Sequence, residues 1–387
     1  MAGCDRKVEP ADVTTFHVIS DGVTVEESVA KSSYADFYIP EGMVTVYGSA
    51  KLSPELYAIY EQTRDDLGHF RKSVLLPTDT MNYTKVLDII RFEELSFFPL
   101  RDRSIGDYDA ATGAYAINFK YYSDNENAGE TMTRMNLEIE AKAEEIMSAI
   151  TPDMTDYDKL KYFHDYLITN CATDDSGSND IYSATIYGTL IKGKALCEGY
   201  AKTFSYLCNL AGIENCLVSG MVNLPHMWNM VKVNGRWYHL DVTYDVPYEN
   251  IVFEHPDFVS YQFFLVPDEV MENDRVIDHV LYDPPTADAT ADNYFYKEGY
   301  LIEDLSQANS VISHGISDAI KEGKTYALIK CASTDVFLKT TDNISDAGGF
   351  DEINASILSE TGVNAIYSSS DYYSGYRILT FFIHYST

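Results

Sequence analysis

A thiol, an imidazole and a carboxylate follow one another in this sequence at Cys197, His226 and Asp241. A sulfur nucleophile requires these three groups: the attacking atom, a base to ionise it and an anion to orient the base. All three fall within one short stretch, so a single compact helix-plus-sheet unit can supply them. The chemistry they would carry is acyl transfer through a thioester. The sulfur attacks an amide carbonyl, the imidazole moves the proton, and the carboxylate fixes the imidazole tautomer.

The elements that must position these groups are readable from local pattern. Cys197 opens an amphipathic stretch in which Tyr200, Ala201, Phe204, Leu207, Cys208 and Ala211 recur at helical spacing. Gly212 stands where a helix end takes a left-handed residue. A cysteine in the first turn of a helix meets unpaired backbone N–H groups and the positive end of the dipole, an arrangement that favours a thiolate. Residues 215–222 read as β, and 227–233 alternate as a strand. Asn234-Gly235 is a two-residue hairpin signal, and 236–242 form the return strand. Pairing about that turn sets position 226 opposite 243, which makes His226 and Asp241 diagonal neighbours within side-chain reach.

Three motifs carry a resemblance: Gly193-x-x-x-Cys197-x-Gly199-Tyr200, His226-x-Trp228-Asn229 and Trp237-x-x-x-Asp241-x-Thr243. Together they resemble the transglutaminase-like superfamily, in particular its bacterial extracytoplasmic members. Residues 157–167 resemble the helix that precedes that family's catalytic core, and 261–269 the segment after its aspartate strand, so the resemblance spans about 131–285. It implies an α+β, papain-like fold, with a helix bearing the cysteine packed on an antiparallel sheet bearing histidine and aspartate. It also implies catalytic roles for Cys197, His226 and Asp241, and no cofactor. The family includes peptidases, amide-transferring cross-linkers and inactive members. The leading expectation is a cysteine peptidase or amidase acting on peptides, proteins or cell-wall peptide stems. The alternatives are a protein cross-linking transglutaminase and a non-catalytic surface-binding module. Water is favoured as the resolving nucleophile because no sequence feature indicates calcium regulation or an amine tunnel.

Around the triad, the backbone N–H of Cys197 is the expected oxyanion donor, with the Tyr187 phenol as the side-chain candidate. Trp228 and Trp237 are expected to pack over the site and limit water access. Cys208 and Cys216 read as core, and Cys171 and Cys331 have no partner motif. His239 reads as an ordinary half-buried strand histidine and His164 as a structural one on the 157–167 helix. The acidic run 174–180 lacks the glycine placement and closing glutamate of a calcium loop and reads as a solvated loop; no metal site is expected.

The whole chain, 387 residues with a net charge of −32, has room for two or three domains. Sixty acidic residues against 28 basic ones argue against nucleic acid and anionic membrane surfaces as partners, and suit a cationic substrate. The 31 tyrosines fit either polymer-binding surfaces or a tyrosine-rich core. No apolar run is long enough to span a bilayer as a helix. Ala2-Gly3-Cys4 matches the tail of a bacterial lipobox, which predicts an extracytoplasmic lipoprotein, its signal removed, with membrane contact only through Cys4. The expected organisation is a flexible lead at 1–33, an α/β unit at 34–130, the catalytic core at 131–285 and a second α/β unit at 286–387, with a linker at 283–290. Both flanking units read helix, strand, helix, strand, strand, and 116–123 faintly echoes 379–386. The two are therefore expected to be related modules, an idea that a different strand order would end.

Overall fold

The computed structural model describes two short strands, Val18–Ser20 and Val23–Val25, and then residues 41–43, 47–68, 73–76, 80–96, 100–109, 114–121, 128–174, 180–247, 249–279, 281–346, 348–363, 365–370 and 374–385. The Cys4 anchor, nearly all of the 1–33 lead, and the centre of the 174–180 loop lie outside the described residues. The fold is mixed helix and antiparallel sheet, as the sequence predicts. The chain forms two compact units that alternate along the sequence. One takes Met1–Pro152, Asp174–Leu217 and Asp278–Pro284; the other takes Asp153–Thr173, Val218–Ile277 and Pro285–Thr387. These units cut across the boundaries read at 130 and 285. The passage at 284/285 falls inside the proline-rich run that the sequence marks as a linker.

The first unit begins with the helix Pro54–Gly68, where Ser53 Oγ accepts from Leu56 N at 3.3 Å and proline occupies the first helical position. A three-stranded antiparallel sheet follows, with Ala114–Tyr121 between Ser73–Leu76 and Leu100–Asp109. Thr80–Glu93 lies between the first two of these strands in sequence. Tyr60, Leu67, Tyr83, Leu87, Phe119 and Met135 meet in its core. The Cys197–Leu210 helix belongs to this unit and is buried on most of its circumference, from Gly199 to Cys208, as a core helix is. The segment Asp278–Pro284 returns to the unit through Tyr282. Its hydroxyl donates to Leu217 O, and its ring lies 5.1 Å from that of Tyr47 and 6.4 Å from that of Phe92.

The second unit opens with the helix Asp156–Asn170. Thr155 caps it through a reciprocal box with Asp158, the shorter acid standing in for the usual glutamate. Its central sheet has the order Phe264–Val266, Arg236–Leu240, Leu224–Val233, Asn215–Val222, Val276–Ile277. Asn234 and Gly235 have φ of 50° and 77°, the two positive values a type I′ turn needs, and Arg236 pairs with Val233. A second sheet orders Leu301–Ile302, Tyr326–Cys331, Ile378–Tyr385 and Ala365–Ser370. Ile312, Ile316, Ile329, Ile353, Ile357 and Phe381 pack in its core.

The strand orders of the two flanking regions agree. In each, the last of three strands is central and antiparallel to both others: Ala114–Tyr121 between Ser73–Leu76 and Leu100–Asp109, and Ile378–Tyr385 between Tyr326–Cys331 and Ala365–Ser370. The described residues of the faintly echoing segments fall on the two central strands. The C-terminal version carries two helices, Thr334–Ser345 and Asp351–Thr361, where the N-terminal one has Thr80–Glu93, and adds Leu301–Ile302 in parallel at its edge.

Candidate active site

Cys197 is the first residue of its helix, and among the described cysteines it is the one that is not buried. The glycine two positions on is a packing requirement. A Cβ on Gly199 would stand 2.4 Å from Ser183 O and 3.0 Å from Thr189 Oγ1. Ser183 O is held there because it accepts from Leu196 N at 2.8 Å, the residue just before the cysteine. The Cys-x-Gly spacing therefore lets the 182–183 backbone lie against the helix start and fix it. Glu198 is ionised: burial pushes its carboxyl up, but Lys202 at 2.9 Å and Arg91, whose Nη2 lies at 2.9 Å, hold it below the usual range. Among the described cysteines, the buried thiols are unsuited to attack. Cys208 is fully buried, burial raises the Cys216 thiol, and burial pushes the Cys331 thiol up to about 11.

His226 lies on the strand Leu224–Val233 and Asp241 directly follows the return strand. The hairpin register runs to Leu240 opposite Asn229, Asp241 follows directly, and the expected contact forms: His226 Nε2 lies 2.7 Å from Asp241 Oδ2. Burial alone would push the Asp241 carboxyl up. The charge and hydrogen bond of His226, the charge of Arg275 and the backbone N–H of Tyr244 reverse this and hold it below the usual range. An ionised carboxylate can only accept, so Nε2 carries the proton and the lone pair of the neutral ring sits on Nδ1. Asp241 also caps the short helix Val242–Asp245, its Oδ1 accepting from Tyr244 N at 3.3 Å.

A layer of aromatic and charged groups holds the imidazole. Trp228 stacks on His226 with centroids 5.7 Å apart at 20°, and the Tyr244 ring meets it edge-on at 5.0 Å. Trp228 Nε1 donates to His239 Nδ1 at 2.9 Å. His239 must then carry its proton on Nε2, which lies 2.8 Å from Asp268 Oδ1. His239 is therefore fully buried, not half-buried, and supports the ring on which His226 rests. His164 is structural as expected. It lies fully buried between Asp165 and Asp245, each at 3.1 Å; burial pulls its proton affinity down, and the two carboxylates outweigh this and raise it.

Two sequence-derived roles meet a different geometry. The Tyr187 phenol donates to Glu138 Oε2 at 2.7 Å, so its single proton is committed to that carboxylate and is not offered to an oxyanion. Trp237 shares a strand face with Asp241 but lies four residues along, roughly 13 Å away, opposite Lys232, whose Nζ sits 5.7 Å from its ring. It does not cover the dyad. Sequence reasoning missed Arg275, a buried residue whose Nη2 reaches Asp241 Oδ2 at 3.1 Å. No local pattern marks it, because it acts on a residue far from it in sequence. Among the described residues no cluster of three or more His, Cys, Asp or Glu side chains could hold a metal ion.

Residues 141–242 match the family model of the Transglutaminase-like superfamily, a stretch that contains Cys197, His226 and Asp241. No curated protein matches the chain. Among solved structures, the chain is similar to a TGase at 16% identity and a TM-score of 0.24, over 43% of this chain and 48% of the other. It is also similar to a candidate cysteine protease from Cytophaga hutchinsonii at 14% identity and a TM-score of 0.26, over 46% of this chain and 65% of that one. The chain thus spans about half to two thirds of the length of these two structures.

Proposed function

We propose that the transglutaminase-like segment 141–242 makes this protein a thiol-dependent acyl-transfer enzyme that hydrolyses amide bonds. Cys197 Sγ attacks the amide carbonyl while His226 takes the thiol proton at Nδ1. The C–N bond breaks as His226 returns that proton to the leaving amine, and the acyl group remains on sulfur as a thioester. Water, deprotonated by His226, attacks the thioester; the C–S bond breaks, the acid departs and the thiol re-forms. Asp241 keeps the imidazole in the tautomer these steps need. The observation that carries this reading is the 2.7 Å bond between His226 and an ionised Asp241.

The same reading covers partner and place. The substrates are peptides, proteins or cell-wall peptide stems, with cationic ones favoured by the net charge of −32. The protein works outside the cytoplasm, tethered through Cys4. A thiol-alkylating probe tests the enzyme reading. Exposure alone would let Cys197 label ahead of the buried thiols, so the deciding readout is the rate. Labelling of Cys197 that depends on pH and slows strongly in His226→Ala supports the enzyme. A rate unchanged by that substitution favours a binding module that keeps the fold. Release of free acid from an amide substrate supports hydrolysis; products that appear only with an added primary amine point to cross-linking.

A further inference from the structure

Arg275 is a costly residue to bury. Its side chain is fully enclosed between the rings of Phe263, 3.9 Å from the guanidinium carbon, and Tyr244, at 4.6 Å. Nη1 pairs with Asp274, Nη2 with Asp241, and Nε is buried without a hydrogen-bond partner. An apolar side chain of similar volume would serve stability as well or better. What the guanidinium does instead is place a permanent positive charge on the oxygen that accepts from His226. Oδ2 of Asp241 receives His226 Nε2 at 2.7 Å and Arg275 Nη2 at 3.1 Å. Two donors on one oxygen fix the rotation of the carboxylate. They also bring the imidazole nitrogen and the guanidinium nitrogen within about 6 Å of each other.

We infer that Arg275 is a positioning residue of the dyad, one that locks the Asp241 carboxylate and sets the pH at which His226 gives up its proton. The inference rests on the proposed reaction for its consequence but not for its measurement. The charged and titratable groups that face this corner come from several elements. Asp241 caps the short helix and Asp245 ends it, and Asp274 sits on the approach to Val276–Ile277. The Tyr376 hydroxyl donates to Asp274 at 2.9 Å, the Tyr244 ring edges His226, and Asp268 acts through His239 and Trp228. Arg275 is the cation among them, and it opposes a second positive charge on the imidazole while keeping Asp241 anionic. At the effective dielectric of protein sites, a charge at this separation moves a titration by about 1–2 pH units.

The test is an NMR titration of His226 in the full-length protein, its resonance assigned by its loss in His226→Gln. Arg275→Met should move the His226 titration up by about 1–2 pH units, with Arg275→Lys retaining most of the native position. The acid limb of the pH profile of kcat/KM should move with it. A merely structural arginine would change stability and leave the titration where it was, and an unmoved titration in folded Arg275→Met overturns the inference. Should Arg275→Met fail to fold, Asp274→Asn decides. That residue is partly exposed, and its loss leaves the guanidinium charge undivided on Asp241, so the His226 titration should move down. An unmoved or upward titration there overturns the inference. Because the NMR readout needs no turnover, an inactive protein with the expected shift would fail the proposed function alone, and an active one without it would fail the Arg275 role alone.

Discussion

Gly199→Ala adds one methyl group at the start of the Cys197 helix, and the structure specifies what it meets. The new carbon would stand 2.4 Å from Ser183 O, 3.0 Å from Thr189 Oγ1 and 3.2 Å from the Ala195 methyl. An unstrained contact lies near 3.5 Å, so the Ser183 carbonyl must move by about 1 Å. It cannot swing aside freely, because it accepts from Leu196 N at 2.8 Å and Ser183 Oγ is tied to buried Asp174 at 2.5 Å. The movement therefore reaches the residue before Cys197. Overpacking of this kind costs about 1–3 kcal/mol, and a displacement of that size at a reacting atom costs roughly 100-fold in rate. Urea unfolding measures the first and the alkylation rate of Cys197, with turnover, the second. Gly212→Ala is the control. It has φ of +72° with nothing within 4 Å, so it should cost about 1–2 kcal/mol through backbone strain alone and leave the Cys197 rate unchanged. A Gly199→Ala protein of native stability and native alkylation rate would refute the close-approach argument, as would an equal rate loss in Gly212→Ala.

Other expectations concern single side chains. Cys197→Ala should abolish turnover and keep the fold, whereas Cys208→Ala, at a fully buried site, should cost about 1–2 kcal/mol in urea unfolding and little activity. Asp241→Asn should reduce kcat by about 10³–10⁴-fold, and should also destabilise the protein by about 3 kcal/mol, because buried Arg275 loses one of its two anions. Burial pushes Glu94 up to about 7, against the opposing charge of Arg64. A carboxyl raised in the folded state binds its proton more tightly there than in the unfolded chain. Its stabilising contribution is complete below about pH 4.5 and is lost as pH rises through 7, up to roughly 3 kcal/mol. Glu94→Gln should remove that loss, so thermal unfolding at pH 8 should show a variant no less stable than the native protein. A steeper decline with pH in the variant would contradict this.

The sequence made the site's skeleton legible because local signals set it. Asn234-Gly235 defines the turn, the turn defines the register, and the register puts His226 diagonal to Asp241. Thr155 and Asp158 announce their helix in the same way. What could not be read depends on partners distant in sequence. Arg275 has no motif of its own, since its meaning lies in Asp241. Spacing before Cys197 points to Tyr187, yet its phenol donates to Glu138. The strand Leu100–Asp109, with Arg101, Asp102, Arg103, Asp107 and Asp109, shows no apolar alternation and gave no β signal. The strand order shared by the two flanking regions is set by long-range pairing, so element order and a weak echo suggest a relation without specifying that order.

The return of Tyr282 to the first unit has a consequence for the order in which the protein comes into being. Synthesis proceeds from the N-terminus, and Cys197 emerges before His226 and Asp241. The unit that holds the cysteine, however, also includes Asp278–Pro284, made after both partners. Its last packing step, with Tyr282 against Tyr47, Phe92 and Leu217, thus waits until His226 and Asp241 have been made. The unit that holds Cys197 therefore closes only after His226 and Asp241 have been made, and the other unit, which includes Pro285–Thr387, is completed later still. A gene fragment ending before residue 278 would retain all three site residues and still lack the closing segment of the cysteine's unit.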